Sequence, residues 1–295
     1  MHISVCVCTY QRPELLARLL CELNHQETSG AFTYSIVVAD NDRFESAKAV
    51  VAEFTANSNL RVTYCTEPRQ NIALARNKAV ENATGDFFAF IDDDEFPARD
   101  WLLSLHTACL RYKVDGVVGP VRRYFDEQPP QWILKGKFYE RPSYETGLLI
   151  DWTKGRTNNL LVKAQIIDEG TQPFRQEFRT GEDQDFCRRM MEKGHVFIWN
   201  NEAIVYEVVP PKRWKRSFMV RRALLQGTAS ALHLTGSLPI AKSLVAIPLY
   251  IVMLPAALLG GQHKFMALLL KLCDHIGRVL SRFHINLIRD PYVTA

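Results

Sequence analysis

The stretch FFAFIDDDEFPARDW, residues 87–101, runs an apolar segment straight into four consecutive acids, Asp92, Asp93, Asp94 and Glu95. Like charges this close repel, so either they solvate a loop and feed the positive end of a following helix, or a cation sits among them. A helix start accounts for one or two acids, not for three abutting a strand. An Asp-x-Asp pair at a strand's carboxyl end offers hard oxygens to Mg2+ or Mn2+, which leave coordination positions for water and phosphate. That chemistry alone does not separate kinases, phosphatases and sugar transferases. A second constellation is TGEDQDF, residues 180–186. Thr180 and Asp183 stand at capping-box spacing, which would serve a helix start. Read functionally, Asp183 is a carboxylate base that the helix dipole keeps ionised. Arg76, in ALARNKA, is either a solvated surface arginine or a fixed guanidinium making planar contacts to a nucleotide.

The elements that must position these groups follow from periodicity. Strands are expected at 3–10, 34–42, 60–67 and 86–92, alternating with helices at 13–26, 45–56 and 70–85. The last of these helices is expected to stop at Gly85. A βαβαβαβ order implies a mostly parallel sheet covered on both faces, with ligands beyond the carboxyl ends of the strands. Thr9 and Tyr10, Asp40, and Asp92–Asp94 would then share one rim. A helix is expected at about 98–112, another at 180–195, and a strand over 196–209. The irregular segment 116–180 carries Trp132, Phe138, Tyr139, Tyr144 and Trp152 and is expected to supply pocket walls.

From Pro210 the chain changes character, so the expected domains are 1–210, α/β, and 211–295, basic, apolar and helical. Residues 201–295 hold 12 Lys/Arg against 4 Asp/Glu, whereas the first 200 hold 24 against 28. Such a tail points to a membrane surface or a polyanion. Residues 243–261 form 19 positions without a charge. As a helix these would extend roughly 28 Å, near the hydrocarbon thickness of a bilayer. Pro248 and Pro255 leave a full span, a re-entrant pair of half-helices and a buried hairpin all open. Residues 264–283 are apolar on one side and carry Lys264, Lys271, Asp274, Arg278 and Arg282 on the other, the pattern of a helix lying among headgroups. The seven scattered cysteines, with no C-x-x-C pair, read as reduced core residues of a cytosolic chain. The N-terminus is too short and too early-charged for a signal peptide.

CTYQRPELL, VVADND, NIALARNKAVENATGDFFAFIDDDEFP and GEDQDF, in this order, resemble glycosyltransferase family 2, the inverting enzymes of the GT-A fold, over about residues 1–225. The tail VYEVVPPKRWKRSFMVRRALLQG is similar to the bacterial exopolysaccharide subgroup related to succinoglycan glucosyltransferases. The resemblance implies a nucleotide-sugar site of Thr9, Tyr10, Arg12, Asp40, Arg76, Asp92, Asp93 and Asn158, with Asp40 reading a uracil edge and Arg76 on the uridine. It implies Mg2+ or Mn2+ on Asp92 and Asp94, Asp183 as the base, and Glu182 as an acceptor contact. Asn159 falls in the same donor-sugar loop as Asn158. Where relatives carry Q-x-x-R-W, this chain has KRWKRS and MVRRALL, so pyrophosphate roles for Arg213, Trp214, Arg221 and Arg222 rest on no matching motif. Glu207 stands where many relatives have histidine. The implied partners are a UDP-sugar and a lipid-linked or polysaccharide acceptor at the cytoplasmic face of a bacterial inner membrane, with no nucleic acid. Transfer to a polyprenyl phosphate, nucleotidyl transfer and an idle membrane scaffold are the alternatives. GEDQDF argues against the first, because a phosphate acceptor is already an anion and needs no base. The glycine-free CVCTYQRP argues against the second, and the intact acids against the third.

Overall fold

The computed structural model describes residues 1–168, 170–178, 181–233, 238–283 and 285. The chain divides into two compact units, Met1–Arg123 with Arg141–Val208, and Tyr124–Glu140 with Val209–Ala295. In chain order the elements are β1 (His2–Thr9), α1 (Pro13–Leu23), β2 (Thr33–Asp40), α2 (Lys48–Asn57), β3 (Val62–Thr66) and α3 (Ile72–Glu81). Next come β4 (Phe87–Asp92), β5 (Glu95–Pro97), α4 (Trp101–Tyr112), β6 (Gly116–Val118), β7 (Val121–Tyr124), α5 (Gln131–Gly136) and β8 (Leu160–Lys163). The chain closes with α6 (Glu182–Glu192), β9 (Phe197–Trp199), β10 (Val205–Val208), α7 (Arg216–His233), α8 (Leu238–Leu259) and α9 (Gln262–Arg282).

The first unit is built on a seven-stranded sheet of order β3-β2-β1-β4-β8-β6-β9. β1 pairs parallel with both β2 and β4, β2 pairs parallel with β3, and β8 alone runs antiparallel to its neighbours β4 and β6. Strands buried on both faces need apolar residues at every position, which is why β1 and β4 read as near-continuous hydrophobic runs. Ile3, Val5 and Val7 pack on one side with Leu16, Leu19 and Leu20 of α1 and Trp101 of α4. Cys6, Phe88 and Phe90 pack on the other with Ala73 and Val80 of α3 and Phe186 of α6. Fully burying each large aliphatic side chain contributes about 1.5–3 kcal/mol, so this two-faced core dominates the unit's stability.

Two elements depart from expectation. The strand expected over 196–209 is two strands in two sheets: β9 edges the large sheet, while β10 lies between β5 and β7 in a three-stranded sheet. Asn200 makes the break, its Nδ2 donating to Ser104 O and its Oδ1 accepting from Glu202 N. Helix α3 ends at Glu81 rather than at Gly85. Gly85 serves a different purpose, since a Cβ there would come within 2.7 Å of Ser4 N in the adjoining β1. Asn71 caps the start of α3, its side chain accepting from Ala73 N and Leu74 N.

The second unit gathers α5 with α7, α8 and α9. Ile133, Met219 and Met266 form its buried centre, wrapped by Trp132, Phe138, Tyr139 and Trp214. Trp132, Phe138 and Tyr139 thus belong to a packed core and not to the expected pocket wall. α7 and α9 cross where Gly227 faces Asp274 O and Gly277 faces Leu224 O so closely that neither glycine has room for a Cβ. Of the seven cysteines, all free, Cys21 is exposed rather than buried as expected.

Candidate active site

The parallel register places four strand ends side by side. Thr9 pairs with Asp40, Cys8 with Asp92, and Asp40 with Thr66. Beyond β4 the chain turns into β5, which pairs antiparallel with β10 and sets Glu95 directly opposite Glu207. Five carboxylates, Asp92 to Glu95 and Glu207, therefore crowd one end of the fold, and three arginines face them. Arg12 Nη1 lies 3.0 Å from Asp93 Oδ1 and 3.4 Å from Asp94 Oδ2. Arg141 Nη2 donates to Glu207 Oε2 at 2.5 Å. Arg76 Nη2 donates to Asp92 Oδ1 at 3.3 Å, while its Nη1 bonds Glu182 Oε1.

Arg76 is the geometric hinge of this arrangement. It is buried, and its guanidinium also lies 5.9 Å from the ring centre of Phe174. One fork holds the end of β4 and the other holds the first residue of α6, so Asp92 and the Glu182–Asp183 pair gather around one cation. Burial disfavours its charge, but Asp92 together with Cys8 and Asp183 outweighs burial and raises the guanidinium pKa above its usual value. The Phe174 loop is itself pinned to α3: Asn77 exchanges two hydrogen bonds with the Phe174 backbone, and Asn71 Nδ2 donates to Gln176 O. The surface-arginine reading of Arg76 is thereby excluded.

The acids are differentiated by their surroundings. Asp92 keeps 37% of its side chain exposed. Burial raises its pKa, with Arg76 opposing and Asp94 adding repulsion. Asp93 is buried, accepts from Thr9 Oγ1 at 2.8 Å, and is pushed up to about 7 chiefly by burial, against the pull of Arg12. Glu95 is buried with one oxygen accepting from Asp92 N at 3.1 Å and the other from Asn158 Nδ2 at 2.8 Å. Burial, then Asp92, Asp94 and Glu207, drive its pKa well up, with Arg141 opposing. Carboxylates that raise one another in this way are the charge pattern that a divalent cation relieves, and Asp92 and Asp94 present the hard oxygens it needs. No three His, Cys, Asp or Glu side chains stand together as a ready-made cage among the described residues. A cation held by Asp92 and Asp94 would complete its shell with ligand oxygens and water.

Asp183 occupies the second position of α6, half-buried, with Oδ1 accepting from Gln184 N at 2.8 Å. Its Oδ2 takes no hydrogen bond among the described residues. Thr180, expected as the cap, lies outside the described residues; Gly181 takes the N-cap with φ +83, a conformation that suits glycine. Glu182, expected to touch an acceptor, is buried against Arg76. Asp40 is fully buried and spends its carboxylate on Asp42 N, Ala47 N and Tyr64 Oη. It holds the turn after β2. Asn158 is buried with Oδ1 unpartnered. Asn159, by contrast, is consumed by the fold through Trp101 Nε1, Pro120 O and Ala203 O. Tyr10 is half-buried just past β1. Arg213 and Trp214 belong to the second unit, where Arg213 O accepts from Tyr139 Oη at 2.6 Å.

Sequence reasoning missed two residues. Glu95 reads as an ordinary turn acid, yet it ties Asp92 to Asn158. The signal was present in EFP and VYEV, two short alternating segments that each carry one glutamate. Arg141 has no local signal; only tertiary folding brings it to Glu207.

A parallel sheet with a rim of acids and arginines, bridged to a carboxylate at a helix start, is the arrangement expected of the GT-A fold. Comparison with known proteins agrees with that class. Residues 4–179 match the family model described as "Glycosyl transferase family 2". Over 236 residues, 77% of this chain and 73% of the relative, the sequence is 33% identical to the succinoglycan biosynthesis protein ExoM of Rhizobium meliloti. It is 24% identical over 227 residues to the glycosyltransferase AglE of Haloferax volcanii, covering 76% of this chain and 73% of the relative. Among solved structures, the mannosyltransferase PcManGT of Pyrobaculum calidifontis, in complex with GDP-Man and Mn2+, superposes with TM-score 0.65. That match has 18% identity and covers 94% of this chain and 86% of the other. S. aureus TarS 1-349 in complex with UDP-GlcNAc gives 0.52 at 18% identity, over 76% of this chain and 66% of the other. The chain belongs to glycosyltransferase family 2.

Proposed function

We propose that this chain is an inverting hexosyltransferase, moving a sugar from a UDP-sugar to a hydroxyl of a lipid-linked saccharide in cell-surface polysaccharide biosynthesis at a membrane's cytoplasmic face. The observation that carries the reading is Arg76, bonded at once to Asp92 and to Glu182, which joins the acid rim to the helix that presents Asp183. The likeness to ExoM supports the polysaccharide setting, and the neighbour bound to UDP-GlcNAc supports the donor class.

In this reading Thr9, Tyr10 and Asp40 line the base pocket at the ends of β1 and β2, with Arg12 and Arg76 supplying positive charge. Asp92 and Asp94 would hold Mg2+ or Mn2+, and Asp93, fixed by Thr9 and Arg12, braces them. Such a cation, when bound, offsets negative charge on the diphosphate. Asp183 accepts the proton of the attacking hydroxyl, whose oxygen enters opposite the leaving nucleoside diphosphate. A single displacement inverts the anomeric centre. Glu182 acts through Arg76 and not on the acceptor, and Glu95 holds the backbone of Asp92 in place.

The decisive experiment replaces Asp183→Asn. Transfer should fall at least about 10³-fold while UDP and Mn2+ binding, read by calorimetry, stay within twofold of the parent. Retained transfer would remove Asp183 from the role of base.

A further inference from the structure

Helix α8 has an apolar surface that its own unit leaves open. Within Ile240–Leu259 only 6% of the residues are buried. Ser243, Ala246, Ile247, Tyr250, Leu254 and Ala257 recur at helical spacing as the less exposed positions, the stripe turned toward α9. Around the remaining circumference Val245 is 71% exposed, Val252 76% and Leu259 92%. Lysines stand at both ends, Lys242 within the first turns of α8 and Lys264 just beyond it, and both are exposed.

We propose that α8 lies in the plane of an anionic bilayer surface, sunk to the headgroup–acyl boundary on one side, and does not cross the membrane. The proposal rests on the membrane-bound acceptor assigned under the function above and adds the mode of attachment.

The reason lies in α9. His275, past the middle of α9, touches α8 twice, with Nδ1 2.9 Å from Ser243 Oγ and its ring 5.5 Å from that of Tyr250. Gly260 and Gly261 join the two helices, so they form an antiparallel hairpin, and a spanning α8 would carry α9 into the hydrocarbon beside it. α9 is unfit for that position. Lys271 is exposed, and Asp274 pairs with Arg278 at 2.7 Å. Arg278 Nε also donates to Ser230 Oγ of α7, a helix that carries Arg221 and Arg222 and meets α9 at the Gly227–Gly277 crossing. Charges at bilayer depth are strongly disfavoured, and this bundle would bring several. Seated in the plane, the same hairpin buries the open face of α8, while Lys242, Lys264 and Lys271 reach lipid phosphates. The excess of 12 Lys/Arg over 4 Asp/Glu in residues 201–295 fits an anionic surface. A second copy is a poorer occupant. With a lysine at each end of α8, either orientation of a two-fold pairing sets lysine against lysine.

The test uses the full chain in bacterial cells, in a Cys21→Ser background that removes the one exposed native thiol. Single cysteines are placed at Ala241→Cys and Lys264→Cys, before and after the apolar segment. A membrane-impermeant maleimide is then applied to inverted inner-membrane vesicles and to spheroplasts. In-plane seating labels both cysteines in inverted vesicles and neither in spheroplasts. Labelling of one cysteine in each preparation means that α8 spans, which overturns the proposal and leaves the membrane-bound reading standing. Flotation of the purified chain with phosphatidylethanolamine–phosphatidylglycerol vesicles supplies the second arm. There Val252→Glu, on the most open flank, should lower the bound fraction about tenfold. Failure of the parent chain to float, with a dimer in light scattering, would overturn both the seating and the membrane-bound reading.

Discussion

At the residue scale, Arg76 does what no lysine could. Its fork meets Asp92 and Glu182 together, and an ammonium on a flexible stem would satisfy one of them at a time. Arg76→Lys keeps the charge, so donor binding should change little while kcat falls about 10- to 100-fold, because α6 and Asp183 lose their register against the rim. Steady-state kinetics that split kcat from KM check this; a change confined to KM would make Arg76 a donor contact alone. Arg76 announces itself in ALARNKA only as one arginine on a helix. Its burial depends on Phe174 and Glu182, about a hundred residues away, which no local pattern encodes.

At the element scale, the site depends on how α3 starts and how the far strands are tied. Asn71 both caps α3 and holds Gln176 O, so Asn71→Ala should cost about 1–2 kcal/mol, visible as a lower denaturation midpoint. Asn71→Asp, which retains the cap acceptor but cannot donate to Gln176 O, should recover only part of that loss. Asp115 performs a comparable task beyond the site, binding Lys163 Nζ at 3.2 Å and the Val196 N–H at 3.1 Å. Burial alone would raise its pKa, but the Val196 N–H and Lys163 outweigh burial and hold it below the usual carboxylate value. A folded-state pKa below the unfolded one means stability present above the unfolded pKa and lost as pH falls through the folded one. Asp115→Asn should therefore lower stability by about 1 kcal/mol at pH 7, and the difference from the parent should vanish toward pH 2. Denaturant titrations across that range measure it. These elements were largely legible: short apolar, β-branched runs marked β1 to β4 and helical spacing marked α1 and α3. The division of 196–209 into β9 and β10 was not, because Asn200 breaks the strand through a partner, Ser104 O, that is distant in sequence.

At the scale of the whole molecule, charge distribution governs behaviour. Five carboxylates converge at one end of the first unit, while the C-terminal third is strongly basic. A divalent cation bound among the acids should stabilise the folded chain by mass action, about 2.7 kcal/mol at a hundredfold excess over Kd. Thermal shift with and without Mn2+ reads this directly, and Asp94→Asn should remove most of the increment without lowering the metal-free midpoint. An equal shift in the variant would place the cation elsewhere.

The sequence by itself determined the class of this protein. The period of its apolar residues dictates strands and helices in a βαβ order, and acids at strand ends must meet at one rim, because parallel strands point the same way. Tertiary structure alone decided how the carboxylates divide their work. Asp40 braces its own turn, Glu182 meets Arg76, and Glu95 ties Asp92 to Asn158, while Asp92 and Asp94 meet Arg76 and Arg12 at the rim. A carboxylate's task is set by which donors and charges lie within a few ångströms, and those neighbours come from residues dozens to a hundred positions apart.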